Sequence, residues 1–205
     1  MEIYLVTSNP GKAREYGRLL KRIKVKQLSL KIPEPTKGTV KEISLVKARK
    51  AGKTTDKPIL VEDSAFFIYG LNKLPGIKTD RLTKKFFKGS YAGWIKKLDK
   101  KNSKNRKAEA LTVITYSYKG KTKTFSGITK GRVTTQEEYE KNYRLQQKLQ
   151  KKLNRKVGFG FDVIFIPSGF KETMAVLDLK RKKDKISMRA KACRKLIEYL
   201  KAKSI

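Results

Sequence analysis

The chain predicts an α/β fold, a mixed β-sheet covered by helices, and three observations carry that reading. Apolar segments of strand length recur at 2–6, 25–30, 58–61, 108–118, 122–129 and 161–166. Segments with helical spacing fall between them at 12–23 and 40–51 and close the chain at 187–200. Lys119-Gly120 separates the two longest strand segments as a hairpin turn, so at least one pair is antiparallel in an otherwise alternating order.

Each element has a local reason. Residues 2–6 form a buried strand, and 12–23 a helix with Leu19, Leu20 and Ile23 turned inward. Pro33-Glu34-Pro35 breaks the chain after the second strand. A helix over 40–51 then places Ile43, Val46 and Ala51 on one side. The short apolar strand 58–61 delivers Glu62-Asp63, and 65–69 reads as a further strand before a Leu74-Pro75-Gly76 turn. Residues 161–166 form another strand, and the last helix turns Ala190, Cys193, Ile197 and Leu200 inward. Gln136–Leu153 is rich in helix formers, acidic first and basic last, which suits the helix dipole. It reads as an inserted surface helix; the alternative is a lid or dimer contact through Tyr139, Tyr143, Leu145, Leu149 and Leu153.

A length of 205 residues suffices for a single domain with a buried core, and no internal repeat or flexible linker interrupts 1–205. No apolar run approaches the roughly 18 residues of a membrane span, and no secretory signal precedes the first strand. The single cysteine, Cys193, lies on the apolar face of the last helix, which fits a reduced thiol in a cytoplasmic protein. The net charge of +34 attracts phosphates, nucleic acid and acidic surfaces alike. Its make-up is 40 Lys and 12 Arg, spread along the chain, whereas base reading relies on arginine forks. Compositional drift toward lysine, with attraction for polyphosphate and incidental nucleic-acid binding, follows from that balance. Histidine is absent, which excludes a Ser-His-Asp triad and a His-ligated zinc site.

Three distant stretches supply what hydrolysis of a nucleoside triphosphate needs. Thr7-Ser8-Asn9-Pro10-Gly11-Lys12 lies where a strand turns into a helix, where unpaired amides, hydroxyls and one ammonium meet an anion. It lacks the spacing of a Walker A loop, and Ser8 and Asn9 also suit a plain helix cap. Glu62-Asp63-Ser64 ends an apolar run. Paired carboxylates can hold Mg²⁺, and adjacent strand residues face opposite ways, so one of the two leads the chemistry. Phe159-Gly160-Phe161-Asp162 offers aromatic faces on which a purine can stack and a carboxylate to accept from it, although such phenylalanines are also common in cores.

These stretches, in this order, resemble the inosine triphosphate pyrophosphatase family, enzymes that hydrolyse non-standard purine nucleoside triphosphates to monophosphate and pyrophosphate. The similar segments are TSNPGKAREYG, PILVEDSAFFIYGLNKLPGI, GFGFDVIFIPSGFKETMA and SMRAKACRKL; 78–108 and 133–156 match poorly. The resemblance implies an elongated sheet in two lobes enclosing a nucleotide cleft, Mg²⁺ as cofactor and a homodimer. It implies phosphate binding by Thr7, Ser8, Asn9 and Lys12, a general base at Asp63, and metal binding by Asp63 with Glu62 and Glu34, Glu42 being the rival of Glu34. Glu15 orients Lys12 or a metal-held water in that scheme, and Ser64 and Arg81 contact the substrate. Phe159, Gly160, Phe161 and Asp162 hold the base, and Lys183, Met188 and Arg189 aim at its 6-keto oxygen. Where the family has Ser-His-Arg, this chain has Ser187-Met188-Arg189, and methionine donates no hydrogen bond. The expected activity is therefore ITP, dITP and XTP pyrophosphohydrolysis. The alternatives are a pyrophosphatase of relaxed selectivity and a basic nucleic-acid-binding relative without turnover.

Overall fold

A computed structural model describes residues 1–33, 35, 37–155, 157 and 160–203. Glu34 and Phe159, both expected in the site, lie outside the described residues. The architecture is mixed α/β, with seven strands in one sheet in the order β2-β1-β3-β5-β6-β7 and β4 paired to β3. Strand β1 (Glu2–Val6) lies parallel to both β2 (Lys24–Leu28) and β3 (Ile59–Ile68). Strand β4 (Leu74–Gly76) runs antiparallel to the end of β3, and β5 (Lys107–Tyr118) precedes β6 (Lys121–Val133), which pairs antiparallel with β7 (Phe165–Pro167). The turn between β5 and β6 uses Lys119 at φ 47° and Gly120 at φ 73°, the backbone that a two-residue hairpin requires. No helix among the described residues is long and apolar enough to cross a membrane.

The chain divides into two compact units. The first comprises Met1–Ser64, Thr112–Gly127 and Met188–Ile205. Strict alternation along its strands builds two cores. Ile3, Leu5 and Leu60 pack with Tyr16 of α1 (Pro10–Leu19) and with Cys193, Leu196 and Leu200 of α8 (Met188–Lys203). Ile59 and Val61, one step out of phase, pack with Ala48 and Ala51 of α2 (Val40–Gly52). Val46, expected inward, is exposed. Ser44 takes the inward slot because its hydroxyl meets Thr115 Oγ1 at 2.8 Å, so the buried face of α2 is rotated from the one that apolar spacing predicts.

The second unit comprises Ala65–Leu111 and Ile128–Ser187. It contains α3 (Thr79–Phe87), α4 (Gly93–Lys100), α5 (Gln136–Leu153), α6 (Met174–Leu179) and α7 (Lys183–Ile186). Helix α5 has the predicted bounds and a capping box between Thr135 and Glu138. It is anchored by amides. Asn142 Oδ1 accepts from the Thr173 amide at 2.8 Å, and the Gln146 and Gln150 side chains donate to the Val157 carbonyl. Two expectations change. Strand β3 does not stop at Val61 but continues through Glu62, Asp63 and Ser64 to Ile68, since each of these polar side chains finds a partner. The strand expected at 161–166 is a 3₁₀ turn, Gly160–Val163, followed by the short β7, with Gly160 at φ 64° and Asp162 turned in to Lys183.

Candidate active site

The loop after β1 is organised by its own side chains. Asn9 caps α1, its Oδ1 accepting from the amides of Gly11 at 2.8 Å and Lys12 at 3.2 Å, and its amide donates to Thr7 Oγ1 at 3.1 Å. Pro10 occupies the first turn, where a missing N–H costs nothing. Ser8 is exposed. Asn9 thus serves as the helix cap and Thr7 fixes the loop, with Ser8 exposed and Lys12 partly exposed. Lys12 Nζ stands 3.3 Å from Glu62 Oε1.

Glu62 is the hub of the first unit. Its carboxylate accepts from Arg189 Nε at 2.6 Å, Arg189 Nη2 at 2.8 Å, the Tyr16 hydroxyl at 2.6 Å and Ser64 Oγ at 3.1 Å. Arg189 Nη1 meets Glu15 Oε2 at 2.5 Å, so one guanidinium bridges two carboxylates. All four of Glu15, Tyr16, Glu62 and Arg189 are buried. Burial pushes the Glu62 carboxyl up, but the Arg189 and Lys12 charges outweigh it and hold the group well below the usual carboxylate range. Burial and the Glu62 charge push the Tyr16 hydroxyl up, so it stays a donor. Burial likewise raises the Cys193 thiol, which makes it packing and no nucleophile.

Asp63 faces the other way, as strand alternation requires. Its Oδ1 accepts from Lys47 Nζ of α2 at 2.8 Å, and both side chains are partly shielded. Ser64 returns to the Glu62 side and shares a 2.8 Å hydrogen bond with Thr112. Sequence reasoning missed Lys47 and Tyr16. The spacing of Lys12 and Tyr16, four apart on α1, was the available signal for the second; Lys47 had none among its many neighbouring lysines. Glu15, expected to orient Lys12 or a metal-held water, pairs with Arg189.

The second unit holds the aromatic motif. Phe161 is buried and stacks on Phe66 with ring centroids 4.6 Å apart and planes 5° from parallel, and Phe165 meets Phe66 edge-on. One face of Phe161 is thus already covered. Asp162 and Lys183, expected to touch the substrate separately, form a buried ion pair at 2.7 Å. Asp178 joins at 3.8 Å from Lys183 and receives Arg155 at 2.7 Å. Arg81 is exposed on α3. Met188 and Arg189 open α8 in the first unit, where Met188 is buried.

Among the described residues no three acidic or thiol side chains gather as a metal cage. Mg²⁺ is commonly held by one or two carboxylates, with phosphate and water oxygens completing its shell. Asp63 suits that mode. Glu62, its oxygens taken by Arg189, Tyr16, Ser64 and Lys12, does not, and Glu42 is engaged in capping α2 through the Thr39 amide at 2.7 Å.

Fold and site together define an α/β protein with a strand–loop–helix turn beside a carboxylate-centred charge cluster. A sequence profile of the Ham1 family matches residues 3–199, and the chain belongs to that family. A dITP/XTP pyrophosphatase of Thermococcus kodakarensis is 32% identical over 203 residues, covering 98% of each chain. An inosine triphosphate pyrophosphatase of Yarrowia lipolytica is 31% identical over 211 residues, covering 100% of this chain and 98% of the relative. The solved Ham1 protein of Staphylococcus aureus superposes with a TM-score of 0.76 at 27% identity, covering 99% of this chain and all of that one. The relatives so named are hydrolases of nucleoside triphosphates.

Proposed function

We propose that the chain hydrolyses non-standard purine nucleoside triphosphates, ITP, dITP and XTP, to the monophosphate and pyrophosphate. The observation that carries this reading is the division of labour on β3. Glu62 is saturated by Arg189, Tyr16 and Lys12, while the adjacent Asp63 faces away with Lys47 as its partner. Lys12, at the head of α1 and steadied by Glu62, binds a phosphate oxygen. Asp63, oriented by Lys47, takes a proton from the attacking water, whose oxygen bonds to the α-phosphorus as the bond to the bridging oxygen breaks and pyrophosphate leaves. Mg²⁺ held through Asp63 would supply charge neutralisation on the phosphates. Glu62 acts as a positioning residue in this scheme.

A second reading, relaxed base selectivity, is favoured by one specific feature. Met188 is buried and offers no donor, and Arg189 is bound to Glu15 and Glu62. Pyrophosphate release with Mg²⁺ from ITP, dITP, XTP, GTP and ATP distinguishes the two. Fast release from the keto purines with little from ATP supports the first; equal rates support relaxed selectivity; no release from any removes both.

A further inference from the structure

We infer that the α3–α4 surface, which includes none of Lys12, Glu62 and Asp63, is a docking platform for single-stranded nucleic acid. Residues 78–104 carry ten basic and two acidic side chains, in a chain already at +34. Both acids are engaged: Asp80 accepts from the Tyr91 hydroxyl and Asp99 from Arg106. In the middle stands Phe86, a large apolar side chain that is 52% exposed. Lys85 of α3 and Lys97 of α4 lie over its ring, 5.6 and 5.5 Å from the centroid.

The platform is built on a rigid base. Phe87, the next residue, packs edge-on against the buried Trp94, whose Nε1 donates to Thr83 Oγ1 at 2.8 Å. A Cβ on Gly93 would lie 2.2 Å from the Phe87 ring, so α4 approaches α3 as closely as only glycine permits. Phe86 is thereby held out of the core while its neighbour is locked in. Lys100 and Lys101 extend the Lys97 face of α4 by one turn, and Lys84 and Lys88 flank Phe86 on α3.

An exposed ring bracketed by ammonium groups matches a strand whose bases are free to stack and whose phosphates lie alongside. A duplex buries its base faces and meets only the charges. A purely acidic protein surface meets only the charges as well. Base faces and phosphates are common to DNA and RNA, so strands of both should bind alike.

The test uses the full chain and fluorescently labelled 12-nucleotide dT and rU strands, with a 12-base-pair duplex as comparison, followed by anisotropy from about 50 to 200 mM salt. Both strands should bind more tightly than the duplex. Phe86→Ala should weaken strand binding roughly five- to a hundredfold with little effect on the duplex. Lys97→Glu should flatten the dependence of log affinity on log salt by about 0.7 or more. Both variants should keep the wild-type thermal midpoint and nucleotide hydrolysis, which separates failure of the platform from failure of the fold or of the proposed activity. The inference is overturned if the wild type does not bind the strands. Duplex binding as tight as strand binding, or an unchanged affinity of Phe86→Ala, equally overturns it and leaves only diffuse electrostatic attraction.

Discussion

Arg189 Nε and Nη2 donate to the two oxygens of Glu62 at 2.6 and 2.8 Å, a bidentate pair between the first turn of α8 and the middle of β3. The two residues are 127 positions apart and both buried, so this contact closes the first unit as much as it shapes the site. Removing one partner leaves the other charged in a dry setting. Glu62→Gln is expected to destabilise the protein by roughly 3 kcal/mol, with Glu15 left as the partial partner of Arg189. Urea unfolding of the two proteins gives the difference.

The same pair sets an acid limit. The folded Glu62 carboxyl sits well below its ordinary value, held there by Arg189 and Lys12 against the opposing effect of burial. In the unfolded chain it takes up a proton nearer pH 4.5. Its contribution is therefore complete above that value and is lost as pH falls toward the folded pKa. Stability measured from pH 6 down to pH 3 should fall less steeply in Glu62→Gln than in the wild type.

Gly127 sets how closely β6 approaches α8. A Cβ there would stand 2.0 Å from the Met188 carbonyl oxygen and 2.8 Å from the Ala192 amide, both backbone atoms that cannot swing aside. Gly127→Ala should cost about 1–3 kcal/mol and shift the helix start that carries Arg189. A drop in thermal midpoint with a loss of nucleotide hydrolysis is the expected result.

Lys12, in the first turn of α1, pairs with Glu62. Lys12→Ala should raise KM for dITP by roughly ten- to a hundredfold, the worth of a charge-assisted hydrogen bond to phosphate. Far-UV circular dichroism should be unchanged, since Asn9 caps α1 without help from Lys12.

Met188 is buried and its side chain has no hydrogen-bond donor. Met188→His should raise the kcat/KM ratio for ITP over ATP by up to about tenfold, because a donor left unpaired by adenine penalises the wrong base. An unchanged ratio would show that position 188 does not read the base.

The parts of this fold that sequence made legible were those governed by local rules. Strand β1 follows from its apolar pattern, helix α5 from its helix formers and acid-to-base order, and the Lys119-Gly120 turn from its place between two long strand segments. In the sequence Glu62-Asp63-Ser64 reads as a strand end; distant partners, Arg189 and Lys47, let β3 continue. Helices α3 and α4 were overlooked because lysines blur their apolar faces, and α6 because nearly all of it is buried, which erases the polar side of the pattern. The site followed the same division. Opposite facing of Glu62 and Asp63 was deducible from strand geometry. The pairing of Lys183 with Asp162, and the cover of Phe66 over Phe161, depends on tertiary contacts to which no spacing points.

The central claim is that Asp63, and not its neighbour Glu62, carries the chemistry. Pyrophosphate release from saturating dITP by Asp63→Asn, with nucleotide affinity measured on the same preparation, tests it most directly. The account predicts turnover reduced by about a hundredfold or more with affinity changed only a few-fold. Turnover close to wild type would contradict it.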